Sequence, residues 1–92
     1  MNSSLDPDNV AAEVADFERA YGPFERTGDF RVVAQYPDHL VDEYGRARHH
    51  VLWHACRYGL GWECLSEFYR LEQQTPGEHW RNANDALYEW DV

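Results

Sequence analysis

The chain has 92 residues, the length of one domain and near the small end of what folds without a disulfide or metal staple. Acidic residues number 17 against 8 basic ones, a formal net charge of −9, which argues against direct binding to DNA, RNA or an anionic membrane. Disorder is excluded for most of the chain by its aromatics, four Trp, six Tyr and four Phe, because acidic disordered tails lack such residues and each ring can bury on the order of 150–250 Å².

Every basic residue is arginine, and neither Lys nor Ile occurs; both absences fit a GC-rich genome. Two cysteines, Cys56 and Cys64, are too few for a disulfide-stapled secreted scaffold. Met1-Asn2-Ser3-Ser4-Leu5-Asp6 is polar and then acidic, unlike a signal peptide, and no run approaches the roughly 18 apolar residues of a membrane span. The expectation is one cytoplasmic domain over 1–92, with reduced thiols and with 1–5 as a flexible N-terminus.

The first helix is predicted over residues 7–21. Asp6 suits the N-cap and Pro7 the first helical position, and Val10, Val14, Phe17 and Tyr21 form one stripe. Gly22-Pro23 ends it, the glycine read as a left-handed cap. Beyond this, Phe30, Val32, Ala34 and Tyr36 alternate with Arg31, Val33 and Gln35, the pattern of a short extended segment near 28–36. That segment is either a connector packed on helices or a strand completing another sheet, including one in a partner.

Residues 38–58 read as a helix with Asp38 as N-cap, in which Leu40, Val41, Tyr44, Ala47, Val51, Leu52 and Ala55 recur at helical spacing. Gly45 inside it would cost about 1 kcal/mol relative to Ala. The alternative is a hairpin turning at Glu43-Tyr44-Gly45-Arg46; the helix matches more positions. Gly59-Leu60-Gly61 is then a helix-to-helix turn, too short for a nucleotide fingerprint. Trp62, Leu65, Phe68, Tyr69 and Glu72 give a third helical stripe ending near Gln74. Thr75-Pro76-Gly77-Glu78 reads as a capping box before a last helix with Trp80, Ala83, Asn84, Leu87 and Tyr88 on its stripe. The fold class is therefore mainly α, a small single-domain bundle of three to four helices with one short extended segment.

Three kinds of chemistry are offered. His50 and His54 stand one helical turn apart and could share a metal with Cys64 or Glu63, although neither a Cys-x-x-Cys pair nor a His-Glu-x-x-His motif fixes a ligand set. Cys56 or Cys64 beside His54 or His79 could form a nucleophilic pair, but no catalytic motif is present and the chain reads as a non-enzyme without a cofactor. Arginines at 46, 48, 57, 70 and 81 are interspersed among acids, the pattern of intramolecular ion pairs. The remaining feature is the acid itself, including 6, 8, 13, 16 and 18, then 38, 42 and 43, then 63, 67, 72 and 78, and finally 85, 89 and 91.

Spread over a small body, such charges can imitate the phosphates of a duplex. The expectation is a small acidic inhibitor that blocks a basic nucleic-acid-handling protein: a nuclease, a CRISPR effector or a DNA-binding protein. Small size with acidity is the general profile of anti-defence proteins such as anti-CRISPRs, an analogy of type, since no motif identifies a family. Antitoxins, immunity proteins and acidic accessory subunits share the profile. Asp42, Glu43, Glu63 and Glu67 are the first candidates for partner contact, with Tyr44 and Trp62 as aromatic anchors. The competing reading is a metal-binding or accessory module using His50, His54 and Cys64.

Overall fold

The structure, a computed structural model, describes residues 7–24 and 40–92. Among these the chain forms four helices and no strand: α1 (Pro7–Tyr21), α2 (Glu43–Cys56), α3 (Gly61–Gln74) and α4 (His79–Glu89). The mainly helical class is as expected. No described helix is long and apolar enough to cross a membrane.

Helix α1 has the predicted span and buries Val10, Val14 and Phe17. Its expected cap Asp6 lies outside the described residues, as do residues 1–5. Gly22 departs from expectation: among the described residues the glycines at positive φ are Gly59 and Gly77. A residue before proline is steered to the extended region, and Gly22 is required for another reason. Its N–H closes the helix on the Glu18 carbonyl at 2.8 Å, and a Cβ there would run into that same oxygen.

Residues 43–56 are helix, not hairpin, but the helix begins later than predicted. The extended segment near 28–36 and the Pro37-Asp38 start signal lie outside the described residues. Leu40 and Val41 precede α2, and Val41 is 79 % exposed instead of lying on a core stripe. Asp42 is the N-cap, its carboxylate accepting the Gly45 N–H at 2.7 Å, the bond that satisfies a first-turn donor. Gly45 therefore sits in the first turn, where its low helix propensity matters less than in an interior.

The turn between α2 and α3 is short because Gly59, at φ 73°, takes the left-handed conformation that reverses the chain. The Leu60 N–H reaches back to the Ala55 carbonyl at 3.0 Å and the Gly59 N–H to Cys56 at 3.2 Å, the paired bonds of a Schellman motif. So short a connection makes α2 and α3 antiparallel neighbours. Two residues on, Gly61 is a site of close approach by α1. A Cβ on it would lie 2.8 Å from Val14 Cγ1 and 2.9 Å from Cys56 Sγ.

The α3–α4 turn corrects the capping-box reading. Thr75 ends α3 instead of starting α4: its N–H donates to the Leu71 carbonyl at 2.8 Å, and its hydroxyl lies 3.1 Å from that oxygen and 3.2 Å from Asn82 Oδ1. Glu78 flanks α4 and makes no side-chain cap bond. Asn82, 1 % exposed, donates to the Thr75 carbonyl at 3.0 Å and to the Glu72 carboxylate, so its buried amide is satisfied. Drawing Asn82 inward sets the phase of α4. Asn82, Ala83, Ala86 and Leu87 are buried, while Asn84 and Tyr88, both expected inside, face outward.

The α4 N-terminus meets that of α2, where Tyr44 and His79 pack edge to face at 5.5 Å, so these two helices run in the same direction. They share the most extensive helix–helix packing, helped by fully buried alanines at 47, 55, 83 and 86. Leu52, Leu65 and Phe68 complete the core.

A Gly61→Ala variant tests the α1 docking. Val14 is β-branched and stiff at χ1, so the added methyl overpacks a buried contact at a cost of about 1–3 kcal/mol. The thermal midpoint should fall by several degrees. In the Val14→Ala, Gly61→Ala double variant the loss should be smaller than the sum of the two single losses.

Candidate functional site

Polar side chains that meet between helices form two linked groups. In the first, the Tyr69 hydroxyl donates to the Glu13 carboxylate at 3.0–3.1 Å and accepts from Arg48 Nε at 2.9 Å. Arg48 also pairs directly with Glu13 at 3.3 Å, both side chains about one-third exposed. Three helices are thus tied through one phenol. Burial, opposed by the Arg48 hydrogen bond and charge, raises the Tyr69 pKa, so the hydroxyl stays protonated and a donor. Burial raises the pKa of the neighbouring Tyr44 as well.

The second group begins where the Tyr44 ring meets His79. His79 Nδ1 lies 2.5 Å from Glu72 Oε1, with Glu72 13 % exposed, and the other Glu72 oxygen takes Asn82. Around these sit Asp42 and Glu43 at the start of α2 and Glu78 at the start of α4. Two helix N-termini present their positive dipole ends here, which favours carboxylates. The result is an acidic end of the bundle centred on Tyr44, which is 36 % exposed and backed by Phe68 at 5.9 Å.

The six residues predicted for partner contact divide. Asp42, Glu43 and Tyr44 belong to this end. Trp62 and Glu63 lie in the first turn of α3, at the opposite end of the α2–α3 pair, about 15 Å along the helix from Glu72. Trp62 is 41 % exposed, but its indole N–H donates to the Pro7 carbonyl at 3.2 Å, pinning the start of α1. One Glu63 carboxylate oxygen is buried without a hydrogen-bond partner. Glu67 pairs with Arg70. Sequence spacing missed Glu72, Glu78 and His79, although an antiparallel turn centred near Tyr58 would have set position 44 opposite 72.

The metal-ligand set His50, His54 and Cys64 is not assembled. Cys64 is fully buried in the core, and among the described residues no three His, Cys, Asp or Glu form a metal-holding group. Burial pushes the thiols of Cys56 and Cys64 up to about 12, which disfavours the thiolate a nucleophilic pair requires. His49, 4 % exposed, is wedged among Phe17, Tyr21 and Trp53. His50 and His54 remain half-buried with their rings 4.5 Å apart. No known protein family, curated protein or solved structure matches this chain.

Two measurements probe these groups. Tyr69→Phe removes the shared hydroxyl and should cost about 1–3 kcal/mol; hydrogen exchange should accelerate most in α1, which holds Glu13. Burial first, then His54 and His49, lowers the His50 pKa from 6.5 to about 4. The unfolded chain then takes up a proton that the native state resists, so stability should fall as pH drops from 6.5 toward 4. Between about pH 6.5 and 5, where carboxylates are still largely ionised, denaturation midpoints of His50→Gln should decline less than those of the parent.

Proposed function

We propose that this chain is a small acidic protein-binding inhibitor, which occupies the basic surface of a nucleic-acid-handling protein and excludes its nucleic acid. A nuclease, a CRISPR effector or a DNA-binding repressor has a surface of the required sign. The observation that carries the reading is how the charge is distributed. Arg19, Arg48, Arg70 and Arg81 each pair with a carboxylate of the chain itself, and Arg46 is taken by the Leu40 carbonyl. Among the described residues, Glu18, Glu43, Glu78 and Asp91 are exposed and make no ion pair. These arginines are paired within the chain, while these four carboxylates face outward unpaired.

The acidic end supplies the elements an inhibitor's contact surface needs. Carboxylates steer a basic partner and raise the association rate, and a partly exposed, rigidly backed tyrosine is the kind of side chain that anchors an interface. Such partners work in the cytoplasm, and the free, buried cysteines suit a reducing compartment.

The test is capture of partners on the immobilised protein from a lysate of the organism that encodes it, at low salt and at about 0.5 M, where the Debye length shrinks to a few ångströms. The captured protein should bind nucleic acid, release it when this chain is added, and dissociate at high salt. Glu43→Gln combined with Glu78→Gln should weaken the complex. A partner that holds nucleic acid and this chain at once, or binds them with no dependence on salt, would refute the proposal.

A further inference from the structure

Away from the acidic end, α2 carries His50 and His54 one turn apart, ring centres 4.5 Å apart and planes at 65°. Both are partly exposed. Trp80 of α4 stands against His50, with ring centres 5.6 Å apart. We propose that this pair is a two-histidine site for a late first-row divalent cation, Zn²⁺, Ni²⁺ or Cu²⁺, with water completing the coordination sphere.

The spacing is the first argument. Histidines at i and i+4 lie on one helix face, the arrangement by which helices offer two imidazoles to one metal. A cation about 2.0–2.1 Å from one nitrogen of each ring, with a nitrogen–metal–nitrogen angle near 90°, sets the ring centres about 4.5 Å apart. The rings already have that separation. An imidazole has two ring nitrogens, and one can hold a hydrogen bond while the other coordinates.

Donor chemistry is the second argument. Imidazole donors favour Cu, Ni and Zn over Mg and Ca, which sets the cation class. Arg57 repels any cation beside His54, and no third described His, Cys, Asp or Glu joins the pair. The site is thus an open one of modest affinity, unlike a structural zinc centre.

Metal-free, untagged protein titrated with Ni²⁺ and with Zn²⁺ decides the matter, read by calorimetry and by tryptophan fluorescence. One cation should bind per chain, with Ni²⁺ quenching emission through Trp80, and a Trp80→Phe variant should lose most of that quenching. His54→Gln and His50→Gln should each weaken binding about tenfold or more. His79→Gln, which alters a histidine held elsewhere by Glu72, should leave it unchanged. His54→Gln leaves the His50–Trp80 contact in place, which favours that variant's folding. Binding of equal strength in His54→Gln, or none up to about 1 mM cation, overturns the proposal.

Discussion

Between α2 and α3 the chain has only a few residues in which to reverse, and Gly59 in the left-handed region lets Leu60 and Gly59 close back onto Ala55 and Cys56. That reversal fixes which side chains can meet. It lays the end of α3 along the start of α2, so Glu72 comes to Tyr44, and Tyr69 to Arg48. The next turn brings α4 back beside the start of α2, delivering His79 to the same place. A longer, looser connection would leave the pairing of positions undetermined, and with it both polar groups.

The docking of α1 shows which forces decide what. Val10, Val14 and Phe17 are buried on it, each contributing about 1.5–3 kcal/mol. The Glu13–Tyr69–Arg48 group is partly exposed and contributes on the order of 1 kcal/mol per hydrogen bond. Apolar burial therefore holds α1 in place, and Gly61 allows the approach that makes the burial possible. The polar group selects register: sliding α1 by one residue would strand Glu13 away from both Arg48 and the phenol.

Much of this was legible in the sequence wherever a local cause acts. The span of α1, the helical character of 43–56 and the turn at Gly59 follow from periodicity and from glycine and proline placement. The reading failed where a distant partner decides. Thr75 resembles an N-cap locally, yet Asn82 and Leu71 recruit it to close α3, and the same recruitment rotates α4 so that Tyr88 points outward. For the site, half of the predicted partner-contact residues gathered at one end. The reading grouped the start of α2 with the start of α3, whereas antiparallel packing puts those stretches at opposite ends. Chain direction, more than residue identity, was the missing information.

The acids can be sorted by whether the fold itself has a use for them. Asp42 caps α2, Glu13 meets Arg48 and Tyr69, and Glu72 holds His79 and Asn82; folding alone explains these three. Glu43 and Glu78 sit at helix N-termini, where the dipole tolerates them. Glu18 and Asp91 are different. Both lie at helix C-terminal ends, where the dipole opposes negative charge, and Asp91 takes a left-handed position at φ 56°, which Asp and Asn tolerate better than most side chains. With net charge already at −9, each such residue adds self-repulsion to the compact state. Glu18 and Asp91 are thus the acids to which the helix dipole gives no stabilising role.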